Sequence, residues 1–326
     1  MTATTTPSFT FTAGAGDAAR LARARFRETR MRNLLAMALL AVLALALSVV
    51  AEEPMLVWLA LAFVALDALV ETLTFVAHLR VARRSIPAGT TLSVEYPPVV
   101  MRLTERDGET FLPYADLREA RERGRHVALV RRAGPVLVLP AEACPPEAVA
   151  IVRAGIRSGF SPAVDEPQFP HRAQPDAAYA RAVSRRTLAM LVTDPSAVGL
   201  ALAIAVIGVG GSLLFASPVP AVFAVLMIVA WPIAALLSVR SALKRQIGSD
   251  TMYARFDADT FTTAHRGTVV RMPYTAFDEL RESDGVVELR TAATRQRHLF
   301  PAALFPAEAR ERVRAATAAA ASVPTP

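Results

Sequence analysis

Two hydrophobic patterns take turns along the chain. The first is the solid apolar run, and there are four: Leu34 to Ala51, Met55 to His78, Ser196 to Ala216 and Ala221 to Val239. None shows the polar stripe that a water-facing helix carries once per turn, so each predicts a membrane-spanning helix. Glu52-Glu53-Pro54-Met55 joins the first two and Ser217-Pro218-Val219-Pro220 the last two. Connections this short predict two antiparallel helical hairpins.

The second pattern is strict alternation, which predicts strands with one buried face. Leu92, Val94 and Tyr96 alternate with polar residues, as do Val99, Met101 and Leu103, and Arg106-Asp107-Gly108 then turns the chain. Val127 to Val130 and Val136 to Leu139 are further short strand-like runs, and a helix is predicted from Pro145. Near the N-terminus Phe9 and Phe11 have strand spacing, and Asp17 is placed to cap an Arg-rich helix. Residues 158 to 175 are proline-rich without periodicity and read as a linker.

The predicted fold class is an α+β membrane protein with two transmembrane hairpins. Each hairpin is followed by a small cytoplasmic antiparallel β-domain, a meander closed by a C-terminal helix. The expected segments are an N-terminal strand and basic helix (1–33), hairpin 1 (34–79), β-domain 1 (90–157), the linker (158–175), a second basic helix (176–195), hairpin 2 (196–240), β-domain 2 (249–318) and a disordered tail (319–326).

Composition agrees with that division. Hydrophobic residues make up 53% of 326, and mean hydropathy is +0.35. The net charge of +7 rests on arginine, since Lys244 is the only lysine. Arg20 to Arg32, Arg80 to Arg84, Arg181 to Arg186 and Arg240 to Arg245 bracket the apolar runs, while the two inter-run turns carry no Lys or Arg. Under the positive-inside rule both termini and both β-domains are expected in the cytoplasm, with the chain multi-pass in the membrane. The bilayer is then the expected partner, a protein or a second copy is a further one, and nucleic acid is not expected because no aromatic-studded basic surface is legible. Cys144 is the only cysteine, which excludes an internal disulfide or a cysteine zinc site. No removable signal peptide is expected.

The chain also repeats itself. Pro113-Tyr114 falls on Pro273-Tyr274, and at the same offset Glu119, Arg121 and Glu122 fall on Glu279, Arg281 and Glu282. One residue further out of step, Pro140 falls on Pro301, Pro145 on Pro306 and Glu147 on Glu308. Gly108 and Gly267 are expected in corresponding hairpin turns. A series in fixed order points to tandem duplication of one unit.

These residues carry a resemblance. A helical hairpin followed by strands, a Pro-Tyr pair, an apolar strand ending in proline and a closing helix resembles the YcxB-like family of bacterial membrane proteins. The closing motif looks like Leu139-Pro140-Ala141-Glu142-Ala143 in the first copy and Phe300-Pro301-Ala302-Ala303-Leu304-Phe305 in the second. The second is the closer match, because Cys144 stands in the first where Phe305 stands in the second. The resemblance implies a β-domain similar to small pleckstrin-homology-like domains and a place in the inner membrane of a bacterium, and it implies no activity.

Candidate chemistry is sparse. Asp67 and Glu71 lie four residues apart in the second apolar run and share a helix face, as an intramembrane proton or cation site would require, or as hairpin packing would. His78, His126, His171, His265 and His298 show no metal-ligand spacing. No nucleophile or phosphate-binding motif appears, so no catalytic residue, cofactor or metal is expected. Tyr114 and Tyr274 read as anchoring residues of the β-domains. The expected function is a non-enzymatic membrane scaffold or binding module for protein or lipid headgroups, and the alternative is a small transporter using Asp67 and Glu71.

Overall fold

A computed structural model of the chain describes residues 6–28, 78–132, 134–160, 168–193, 195–244, 251–265 and 267–321, with isolated positions between 42 and 76. They separate into two units. One takes in residues 1–28, 79–182 and 246–326, and the other 29–78 and 183–245.

The first unit is an α+β body in which every described strand pair is antiparallel. In its first half β1 (Ser8–Thr12), β2 (Thr91–Glu95), β3 (Val100–Glu105) and β4 (Gly108–Pro113) lie side by side. A single 3-10 turn, Tyr114–Asp116, redirects the chain into a three-stranded sheet of β5 (Leu117–Arg123), β6 (His126–Arg131) and β7 (Leu137–Pro140). Helix α1 (Pro146–Ser158) closes the half, with proline in its first turn and Gly159 left-handed at its end. The second half repeats the order: β8 (His171–Ala173), then β9 (Met252–Phe256), β10 (Thr260–His265) and β11 (Thr268–Pro273), the turn Tyr274–Ala276, the sheet β12 (Phe277–Ser283), β13 (Val286–Thr291) and β14 (Arg297–Pro301), and a closing helix at Ala307–Ala321.

Each half has its own core. Leu92, Val94, Met101 and Leu103 fill the first together with Leu129, Leu139 and Val152. Phe261, Phe277, Leu289, Phe300, Phe305 and Val313 fill the second. The two halves share one eight-stranded sheet of order β1-β2-β3-β4-β11-β10-β9-β8, which reads the same from either edge in terms of the repeat. At its centre Thr110 pairs with Val270, its own equivalent 160 residues on, flanked by Phe111 with Val269 and Glu109 with Arg271. A pairing in which the central residue faces its own counterpart and the flanking residues face each other's counterparts is that of a two-fold contact, here made within one chain.

Three features of the repeat have structural causes. Both halves carry the same bulge, at Leu117/Glu119 and at Phe277/Glu279. The change of offset between the Tyr pairs and the Pro pairs is one extra residue between β13 and β14, because Val286 faces Pro301 where His126 faces Pro140. Gly108 and Gly267 share a turn but not a position: Gly108 opens β4 opposite Glu105, as Thr268 opens β11 opposite His265, and Gly267 belongs to the two-residue turn itself. Within the predicted linker, residues 171–173 form β8, paired on one side only with β9. Three residues beside Pro170 carry too little periodicity to be seen in sequence.

The described helical segments of the second unit include the C-terminal part of α2 (Ala177–Thr193), α3 (Pro195–Leu214) and α4 (Val219–Lys244). Helices α3 and α4 pack on each other where Gly208 meets Ala224; a Cβ on Gly208 would lie 2.3 Å from the Ala224 Cβ. The expectation of transmembrane hairpins is corrected at this point. Hydropathy along a sequence reports composition, whereas a span requires a helix both long and apolar enough to cross the bilayer. Among the described residues no helix is long and apolar enough to cross a membrane. The fold class is therefore α+β with antiparallel sheets and without a supported membrane-spanning class, and the multi-pass inner-membrane placement with cytoplasmic β-domains falls with it. Most of residues 34–79, where hairpin 1 was expected, lies outside the described residues.

Candidate functional site

The Pro-Tyr pairs end β4 and β11 and start the turn into the next sheet. Pro113 and Pro273 hold extended backbone, at φ −60° and −68°, and deliver the following tyrosine inward. The Tyr114 hydroxyl donates to the Pro97 carbonyl at 2.9 Å, and the Tyr274 hydroxyl to the Asp257 carbonyl at the same distance. Burial pushes both phenols above their ordinary pKa, so both remain donors. Helix α1 comes close enough to the Tyr114 ring that a Cβ on Gly155 would overlap it. Pro140 and Pro301 end β7 and β14 in register with the first residues of β6 and β13. These six positions are thus spread along both halves as joints of the scaffold.

One divergence between the halves is a coupled exchange. In the second half Phe305 lies 5.0 Å from Phe256 and 5.1 Å from Phe261, ring to ring. In the first, Tyr96 and Cys144 take the places of Phe256 and Phe305, and the Tyr96 hydroxyl donates to the Ala143 carbonyl at 2.7 Å. The smaller sulfur leaves room for the hydroxyl, and burial drives the Tyr96 phenol and the Cys144 thiol upward in pKa.

The seam between β4 and β11 has two ends that the repeat would make alike, and they differ. At one end the Thr268 hydroxyl donates to Asp116 Oδ2 at 3.0 Å and accepts from Arg131 at 3.2 Å, tying the halves together. At the other end the equivalents are Gly108, Ala276 and Thr291. The Thr291 hydroxyl bonds within its own hairpin, to Thr294 and the Gln296 backbone. A cavity of about 340 Å³ opens there, lined by Arg106, Asp107, Pro273, Thr275, Ala276 and Ala292. No sequence pattern marked this place; laying Asp116 over Ala276 in the repeat would have.

Glu71 is buried, whereas Asp67 lies outside the described residues, so the structure does not bring the two together. The transport alternative built on them required a membrane span and is corrected along with it. His298 sits in β14 against Phe300, and burial lowers its pKa. Among the described residues no three His, Cys, Asp or Glu side chains are grouped to hold a metal.

In the second unit the outward faces of α3 and α4 are apolar. Val198, Leu202, Val206, Val209 and Leu213 are exposed on α3, Leu213 to 79%, and Val222, Leu226, Val229, Ile233 and Leu237 on α4. No family model matches the chain, and comparisons with curated proteins and with solved structures find no match.

Proposed function

We propose that the chain is a non-enzymatic association module that pairs with a second copy of itself through the α3–α4 hairpin. The observation that carries the reading is the outward apolar stripe. Its large side chains recur at intervals of three and four along both helices, the spacing with which helices interlock side by side. An apolar patch of this extent is not left in water and marks an interaction surface. A two-fold contact sets the same stripe on both sides and so supplies a partner of matching shape and chemistry. The seam at Thr110 and Val270 supports a chain that already uses such symmetry internally. We extend the proposal to the family: the second half is a YcxB-like module, and the first is a diverged copy in which Cys144 replaces Phe305.

The test is the mass of the full chain in mild detergent, measured by light scattering with the detergent contribution subtracted. Two copies are expected. Replacing Leu202 and Leu213 with Ser is expected to give one. A wild-type chain of single-copy mass, or one that remains with lipid through an alkaline carbonate wash and shows no self-association, overturns the reading.

A further inference from the structure

The two ends of the seam form an internal control. Where Asp116 and Arg131 occupy the space beside Thr268, an acid and a base from the first half close the joint on the second. At the other end Ala276 stands for Asp116, and Ala292 follows Thr291, which stands for Arg131. The backbone itself is unchanged: Arg132 N donates to the Asp116 carbonyl at 2.8 Å, and Ala292 N to the Ala276 carbonyl at 2.8 Å. The same frame has therefore lost one carboxylate and one guanidinium. Gly108 leaves the strand there without any side chain, and its β-position is already occupied by the Arg271 carbonyl oxygen, 2.3 Å from where a Cβ would lie. Substitution at that strand position cannot refill the space.

The remaining cavity, about 340 Å³, is at the small end of ligand-binding volumes. Its wall is alanine and proline. Its charged groups are Arg106 and Asp107, adjacent in the β3–β4 turn and opposite in sign, with the Thr275 side chain also on the wall. The second half has Gly267 where the first has Asp107, so no such acid faces the closed end. Burial raises the pKa of Asp107 and the Arg106 guanidinium opposes that rise, which places the acid in a partly desolvated setting beside its neighbour.

We infer that this cavity is a binding site for a small zwitterion of amino-acid size, whose carboxylate meets Arg106 and whose ammonium meets Asp107. The ligand fills the space that the Asp116 and Arg131 side chains fill at the closed end, held by the two first-half charges against the Thr275, Ala276 and Ala292 wall of the second half. A guanidinium receives a carboxylate with paired donors, and a carboxylate accepts an ammonium, so both halves of the ligand are needed. The inference is independent of the self-association proposed above.

The experiment uses the full chain in mild detergent, with L-alanine and L-glutamate as probes and acetate and methylammonium as half-ligands. Thermal unfolding and titration calorimetry are read together. An upward shift of the melting midpoint with at least one amino acid, and with neither half-ligand, is expected. Arg106→Gln and Asp107→Asn lie in the turn outside the seam pairing; each is expected to melt as wild type without ligand and to weaken binding about tenfold or more. Ala276→Leu is expected to abolish binding by filling the space. No response to either amino acid, a response unchanged in both charge variants, or an equal response to acetate alone overturns the assignment.

Discussion

Replacing Gly108 with alanine should open the seam while leaving both cores folded. Gly108 has φ +151°, a region that only glycine occupies without strain, and an added Cβ would lie 2.3 Å from the Arg271 carbonyl oxygen and 3.2 Å from the Met272 Cα. Both neighbours are backbone of β11, so no side chain can rotate out of the way and the strand itself must move. Holding alanine in such a conformation costs about 1–3 kcal/mol. Displacing β11 also weakens a junction of three residue pairs, whose hydrogen bonds contribute about 1 kcal/mol each. Together these put the loss at roughly 2–4 kcal/mol, which at 1.4 kcal/mol per decade is a factor of roughly 30 to 700 in the opening equilibrium. Hydrogen exchange followed by mass spectrometry reads this directly. Peptides covering 108–113 and 268–273 should lose protection by that factor, while those in β6 and β13 keep theirs, because each half closes its own core. Thr268→Val at the equivalent position removes the hydroxyl bonded to Asp116 and Arg131 without a backbone clash, so its effect should be smaller. Seam protection in Gly108→Ala within about threefold of wild type, or equal losses in the two variants, would refute the reasoning.

Three further outcomes follow from the buried hydroxyls and the histidine. Tyr114→Phe and Tyr274→Phe each leave a carbonyl without its donor, and each should cost about 1–2 kcal/mol in urea unfolding; no change in either would show that the hydroxyls do not join the turns. Burial raises the pKa of Tyr96, Tyr114, Tyr179 and Tyr274, with Tyr179 pushed up to about 12. A raised folded pKa gives stability that is complete below the unfolded value of 10.0 and is lost as pH rises through the folded one, so alkaline unfolding should begin above pH 10, with delayed tyrosinate absorbance. His298 has the opposite sense: its lowered pKa favours the neutral ring, so its contribution is present above 6.5 and is lost as pH falls below it. His298→Gln should flatten the acid side of the stability profile, and an unchanged profile would remove His298 from that account.

The alternation of Leu92 with Val94 and of Met101 with Leu103 marked strand faces directly, because a strand with one buried face writes its burial every second residue. The matched Pro-Tyr pairs and the later Pro140 and Pro301 made the repeated order of elements legible, since both halves carry the same local constraints on turns and strand ends. The seam was not legible. Thr110 meets Val270 through backbone groups that every residue possesses, across 160 residues of chain, and nothing in the side-chain pattern selects that partner. The candidate cavity was hidden for the same reason, since Ala276 and Ala292 are ordinary alanines until Asp116 and Arg131 are seen doing their work at the other end.

The apolar runs show the limit from the other side. Their composition is fixed by the sequence, but hydropathy measures what a side chain avoids and does not say what covers it. The sequence alone determined the two copies, their strand alternation and their turn residues, because each depends on neighbours within a few positions. Only the tertiary structure decided which edges of the two copies meet, which end of their seam is closed, and which apolar side chains of α3 and α4 face outward, because these depend on groups brought together from distant parts of the chain.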